Sequence, residues 1–260
     1  MKGRRAISAC FAGFALLLSG AAFVRVEPVE LVVYAASSLR DVLEELRPGV
    51  EKATGARLIW NFGASNDLAR QIVAANKADL FFSADDAWMD QVAKAGLLDG
   101  GSRRSPLSNR LVVVAPATGG LTIGAARDLA QPAIRRLALA NPEAVPAGKY
   151  AKAWLESKGV WPAVADRVVP TLDVRAALAA VESGAVDAGI VYRTDAERSK
   201  RVRVLYSVPE GEGPEVIYAL AALQLRPHLE TARAVAAWLS GPEAAAIFER
   251  QGFIARAARP

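Results

Sequence analysis

Five short segments of this 260-residue chain combine small residues, hydroxyls and the start of a helical pattern. That chemistry suits an anion held without a countercharge. In Ala35-Ala36-Ser37-Ser38-Leu39, alanines leave the backbone open, Ser38 offers a hydroxyl, and the helix starting near Leu39 brings N–H groups that lack intrahelical partners. Phe62-Gly63-Ala64-Ser65-Asn66-Asp67-Leu68 repeats the arrangement around Ser65. Val145-Pro146-Ala147-Gly148-Lys149-Tyr150 opens a helix on a proline of fixed φ and leaves Ala147 to offer its main-chain N–H. In Leu172-Asp173-Val174-Arg175, Asp173 is an N-cap and the Val174 N–H points outward. Gly189-Ile190-Val191-Tyr192 ends an apolar strand on a phenol, a donor on a semi-rigid stem.

Each segment also has a purely structural reading. Ser37 or Ser38 can cap a helix, with Asp41 completing a capping box; Asp173 can be a plain cap and Tyr192 a core or rim residue. Covalent and metal chemistry has less support. Gly63-Ala64-Ser65-Asn66-Asp67 falls short of the hydrolase nucleophile elbow, because Asp67 stands where a second glycine is needed. The single histidine, His228, lies at what reads as a surface helix start. Asp85-Asp86 and Glu44-Glu45 diverge by about 100° per residue on a helix, so they read as solvated faces. An exported hydrolase is the alternative from another class, and a turnover assay separates the two. Ferric binding would want several Tyr, His or carboxylate groups together, whereas Tyr192 is the only one of the five candidate ligand residues of these types.

Alternating strand and helix patterns position these junctions. Leu31–Ala36 reads as a buried strand, followed by helical spacing at Leu39, Val42, Leu43 and Leu46. Strand-like runs recur at Arg57–Phe62, Leu80–Phe82, Leu111–Ala115, Arg136–Ala140, Val168-Val169, Ala188–Tyr192, Val202–Tyr206 and Val216–Leu223. Helical patterns lie between them, and Pro227–Leu239 and Pro242–Gln251 close the chain as helices. Repeated βα units imply an α/β fold. No fixed-period repeat and no Gly/Ser/Pro-rich linker divides the chain. Two apolar strands, Leu111–Ala115 and Val216–Leu223, can carry it out of one lobe and back, the geometry of a hinged clamp.

Composition narrows the classes further. With 52% hydrophobic and 23% charged residues, disorder, collagen and coiled coil are excluded as the main architecture. Lys2, Arg4 and Arg5 precede an uncharged stretch from Ala6 to Val24, and small residues follow its densest apolar part. Residues 1–26 therefore read as a signal peptide, cleaved near Ala22. The uncharged stretch of 19 residues also has the length of an uncleaved anchor. Without those three cations the 32 basic residues become 29 against 27 acidic, a net charge of +2 instead of +5. No run of like charges offers a footprint for nucleic acid. Cys10 is the only cysteine, and it precedes the apolar region that a lipoprotein cysteine should follow. Loss of the leader would leave no thiol for disulfides, nucleophilic catalysis or metal binding.

In order and in register, these segments resemble the periplasmic molybdate-binding proteins of ABC importers, within the type II periplasmic binding protein superfamily. The resemblance runs from Leu31 to Ile254 and rests on Ala35–Leu39, Phe62–Ile72, Ala78–Met89, Asn109–Pro116, Pro142–Gly148, Asp173-Val174-Arg175, Gly189–Tyr192 and Gly241–Ala245. It implies a two-lobed α/β fold, each lobe a mixed sheet flanked by helices, joined by two crossing strands. Lobe I would comprise residues 29–111 and 216–256, and lobe II residues 112–215. It further implies that Ser38 and Ser65 give hydroxyl donors from lobe I, while Ala147 and Val174 give backbone N–H groups. Tyr192 then donates its hydroxyl from lobe II. The implied ligand is molybdate, with tungstate inseparable from it, delivered to a membrane permease by a monomeric periplasmic protein with no cofactor and no catalytic activity. Sulfate, thiosulfate or another small oxyanion is the nearer alternative. Two departures stand out: Asn141 where an acidic residue often precedes Pro-Glu, and Arg47-Pro48-Gly49, which should interrupt the first helix.

Neutral donors suffice for such a ligand. A hydrogen bond to a charged acceptor contributes ~1.5–3 kcal/mol, so about seven give roughly 10–20 kcal/mol gross. Micromolar binding needs only about 8 kcal/mol, which leaves a surplus against desolvation and closure. Donors alone are saturated only by a fully deprotonated oxyanion, and protonated phosphate would set a donor against a donor. Sulfate has the same charge and shape, so its exclusion rests on cavity size.

Overall fold

The computed structural model describes residues 27–256. The signal-peptide reading of residues 1–26 thus falls outside the described residues. Two sheets, each flanked by helices, make the two-lobed α/β fold.

The first sheet begins with β1 (Val29–Ala36), which a short 3-10 turn, Ser37–Leu39, joins to helix α1 (Arg40–Thr54). Then come β2 (Ala56–Gly63), α2 (Ser65–Ala75), β3 (Leu80–Ser83), α3 (Asp86–Lys94) and β4 (Arg104–Ser108). The chain then enters the second sheet with β5 (Leu111–Pro116) and β6 (Leu137–Ala140). It continues through α4 (Pro146–Ser157), the single turn α5 (Trp161–Val164), β7 (Val168–Thr171) and α6 (Val174–Glu182). β8 (Ala188–Tyr192), the short α7 (Arg193–Glu197) and β9 (Val202–Ser207) complete that lobe. The return is made by β10 (Tyr218–Ala222), α8 (Leu229–Leu239), α9 (Pro242–Arg250) and β11 (Ile254–Ala255).

The six-stranded sheet has the order β11-β4-β10-β3-β1-β2 and the five-stranded sheet β7-β6-β8-β5-β9. β1 pairs in parallel with β2 and β3, and β6 with β7 and β8, so each lobe contains βα crossovers. β10 runs antiparallel to β3, and β5 antiparallel to β8 and β9. The chain passes between sheets just before β5, at Asn109-Arg110, and just before β10, at residues 208–217.

Helices cover both faces of the first sheet, which explains why β3 is buried along its whole length. Phe82 joins the large core, whereas Phe81 belongs to a smaller cluster with Leu68, Ile72, Met89 and Val92 of α2 and α3. The alternation is the period of two expected of a strand.

Helix α1 is continuous through Arg47-Pro48-Gly49, against the expected interruption. Proline removes one hydrogen bond from the helix, but packing compensates locally. A Cβ on Gly49 would come within 3.0 Å of the Trp238 ring, so glycine here admits α8 at close range.

Candidate functional site

In open α/β folds ligands gather beyond the carboxyl ends of parallel strands, where helix N-termini present unpaired N–H groups. Here Ala36, Gly63 and Tyr192 are the last residues of β1, β2 and β8, and Ala36 pairs with Gly63 in register. The turns after β1 and β2 therefore lie side by side. β6 and β7 lead in the same way into α4 and α6.

Ser38, Ser65, Ala147, Val174 and Tyr192 all line one small, open cleft. Ala36, Ser37, Gly63, Ala64 and Asp173 are among its other walls. Among the described residues lining it, none is cationic. The N-termini of the Ser37–Leu39 turn, α2 and α4 have no side-chain cap, so their first N–H groups remain open. At α6 the Asp173 carboxylate accepts from the Ala176 N–H at 2.8 Å and leaves the Val174 N–H uncapped. Gly148 makes the position of α4 attainable: a Cβ there would stand 1.9 Å from the Ala140 carbonyl oxygen.

The hydroxyls are more constrained than the sequence indicates. Ser65 Oγ accepts the Ala84 N–H at 3.0 Å, which leaves its own hydrogen for another acceptor. Ser38 does not cap α1; its Oγ lies 3.0 Å from the Tyr218 hydroxyl. Asn109 Nδ2 donates to the same phenol at 3.4 Å and to Thr194 Oγ1 at 2.9 Å. Tyr192 is 1% exposed, and its hydroxyl has no hydrogen-bond partner among the described residues. A buried orphan donor costs ~1–3 kcal/mol, so its presence at the cleft calls for an acceptor. Burial is the main reason that Tyr192 and Tyr218 lose their protons only well above the ordinary phenol range. Both remain neutral hydroxyls at physiological pH.

Charges collect instead around the cleft, where they link the lobes. Arg175 of α6 meets Asp41 of α1 at 2.5 Å, and Lys149 of α4 meets Asp85 at 3.0 Å. Trp88 Nε1 donates to the Ala144 carbonyl at 2.9 Å. Asp41 is thus an interlobe partner and not half of a capping box. Asp85 departs from the expected solvated face: it is buried, caps α3 through the N–H groups of Ala87 and Trp88, and takes Lys149 on its second oxygen. Asp86 pairs with Arg103 at 2.8 Å. His228 is exposed at the start of α8, as read from the sequence.

Asp195 lies behind this rim, fully buried, with Oδ1 2.7 Å from Arg175 Nε. The N–H does not point at the oxygen, and neither carboxylate oxygen has a hydrogen bond among the described residues. Burial pushes the Asp195 carboxyl up to about 7, against the pull of Arg175. For Arg175 the balance is opposite: burial pulls it down, but Asp195 and Asp41 outweigh burial and raise it. Proximity alone would suggest a depressed Asp195; the missing alignment favours desolvation as the dominant influence. Tyr218, Asn109, Arg175 and Asp41 escaped the sequence reading as parts of this site. Only the phenol at the head of the apolar run 218–222 hinted at them.

The chain matches the model of the bacterial extracellular solute-binding protein family over residues 31–254. It is 38% identical over 247 residues to the molybdate-binding protein ModA of Escherichia coli (strain K12), covering 94% of this chain and 96% of that one. It is 35% identical to the putative ABC transporter substrate-binding lipoprotein YvgL of Bacillus subtilis (strain 168), covering 87% of each. The solved periplasmic molybdate-binding protein of Azotobacter vinelandii superposes with a TM-score of 0.78 at 24% identity, over 87% of this chain and all of that one. The matched span runs from the third residue of β1 to the first residue of β11 and includes every strand between them. The chain therefore belongs to the bacterial extracellular solute-binding protein family, whose members bind solutes and are not enzymes.

Proposed function

We propose that this protein captures molybdate, and with it tungstate, between its two lobes and delivers the anion to the permease of an ABC importer. The orphan Tyr192 hydroxyl carries the reading. It opens onto a cleft that also holds Ser38, Ser65 and the uncapped starts of α2 and α4. Hydroxyls and backbone N–H groups, with the one lining carboxylate, Asp173, engaged as the cap of α6, fit a fully deprotonated tetrahedral oxyanion. The names of the relatives at 38% and 35% identity agree with molybdate as cargo and with an ABC transporter as partner.

In this reading Ser38, Ser65 and Tyr192 donate hydroxyls, and Ala147 and Val174 donate backbone N–H groups. Residues 29–111 and 216–256 form one jaw and 112–215 the other, hinged at the two passages between sheets. Closure brings Arg175 to Asp41 and Lys149 to Asp85. The protein works outside the cytoplasm as a monomer, without a cofactor. No described helix is long and apolar enough to cross a membrane.

Calorimetric titration of the leaderless protein with molybdate should give one saturable site with Kd of about micromolar or tighter. Trp fluorescence should change as Trp88 meets Ala144. A flat titration with both readouts would reject the assignment, and sulfate binding more tightly than molybdate would reassign the ligand.

A further inference from the structure

The two serines of the cleft are held as donors by different means. Ser65 Oγ receives a backbone N–H, that of Ala84, so the main chain takes one of its lone pairs and its hydrogen is left for the cleft. Ser38 Oγ has no such N–H and meets only the Tyr218 hydroxyl, 3.0 Å away in a buried setting. Either oxygen could donate to the other on distance alone. Asn109 decides the direction. Its Oδ1 accepts the Arg110 N–H at 2.8 Å, which fixes the amide so that Nδ2 faces Tyr218 and Thr194. The phenol oxygen is therefore already an acceptor. If Ser38 also donated to it, the Tyr218 hydrogen would be buried without a partner, the costly arrangement. With Tyr218 donating to Ser38, the phenol hydrogen and both amide hydrogens of Asn109 find acceptors, and the hydrogen of Ser38 turns to the cleft.

We infer that Asn109 and Tyr218 form a positioning relay that locks Ser38 as a donor and so sets the preference of the site for fully deprotonated oxyanions. The inference rests on the oxyanion reading of the cleft. Neither relay residue lines the cleft; both act through Ser38. Without the phenol, Ser38 can rotate and accept a hydrogen from a protonated ligand.

The test compares molybdate with inorganic phosphate at pH 7.5, by calorimetry and competition, in wild type, Tyr218→Phe, Ser38→Ala and the double variant. Tyr218→Phe should weaken molybdate roughly 10-fold and narrow the molybdate-to-phosphate affinity ratio by more than that, because phosphate gains an acceptor. In the Ser38→Ala background, Tyr218→Phe should change molybdate affinity by less than about twofold, the non-additivity of residues acting through one group. Asn109→Ala, which keeps the phenol but frees its direction, should shift the ratio the same way by a smaller factor and serves if Tyr218→Phe does not fold. Equal losses in both backgrounds, or an unchanged ratio in the folded variants, would overturn the relay while leaving the molybdate site intact. Wild-type protein that takes up no tetrahedral oxyanion would overturn the reading of the cleft, and the relay with it.

Discussion

The Tyr192 hydroxyl is buried without a partner, and burial together with Tyr218, Tyr150, Asp195 and Asp85 holds its proton on well above the ordinary phenol range. Ser65 differs, because its Oγ also serves the Ala84 N–H. The two residues should therefore separate in mutagenesis although both face the cleft. Tyr192→Phe removes an orphan donor and nothing else. Molybdate affinity should fall at least about 10-fold, with the ligand-free melting temperature unchanged or slightly higher. Ser65→Ala should weaken molybdate similarly but lower the melting temperature as well, since it strips an acceptor from a buried N–H. Calorimetry beside thermal melts checks both, and a Tyr192→Phe variant that binds normally would remove this hydroxyl from the site. The hydroxyls and small residues were legible in the sequence because their types announce donors at strand ends. Their partners were not, since Tyr218 and Asn109 stand 180 and 71 positions from Ser38 and meet it only through the fold.

Helix starts do as much here as side chains, and their placement depends on close approaches. Gly148 lets the first turn of α4 lie against the end of β6, where a Cβ would meet the Ala140 carbonyl oxygen at 1.9 Å. Gly148→Ala should cost ~1–3 kcal/mol of stability by overpacking and should push the Ala147 N–H away from the cleft. Denaturant unfolding and molybdate titration should both register the change; a variant equal to wild type in both would mean that α4 has room to spare. Elements with strong local patterns were read closely: β8 at Ala188–Tyr192 and α6 opening at Val174 follow from apolar periodicity and the Asp173 cap. β4 was missed because Arg104–Ser108 contains two polar ends and Pro106 and owes its extension to β10 and β11 on either side. A register shift in its pairing with β10 accommodates the irregularity. The break expected at Pro48 failed for the converse reason, since packing on α8 keeps α1 whole. Pairing and packing between distant segments leave little trace in local pattern.

At the scale of the molecule, the charges that ring the cleft govern closure and pH response, while the neutral donors govern recognition. Asp41 with Arg175 and Asp85 with Lys149 span the lobes and are all at least partly buried. Asp195 behind them titrates in the folded protein at about 7, raised from 3.8 chiefly by burial. The native state therefore holds a proton that the unfolded chain has released. The resulting stabilisation is complete below about pH 4 and is lost as pH rises through about 7. Melting temperatures taken from pH 5 to 8 should fall for this reason in wild type and less steeply in Asp195→Asn; parallel profiles would exclude Asp195 as the source. The central claim concerns the ligand: uncharged donors from both lobes surround one tetrahedral dianion. Crystals grown with molybdate and measured across the molybdenum absorption edge test it most directly. One anomalous peak in the cleft, within hydrogen-bonding reach of Ser38, Ser65, Ala147, Val174 and Tyr192, is the expected result. A cleft without molybdenum, or molybdenum held by lysine or arginine elsewhere, would contradict it.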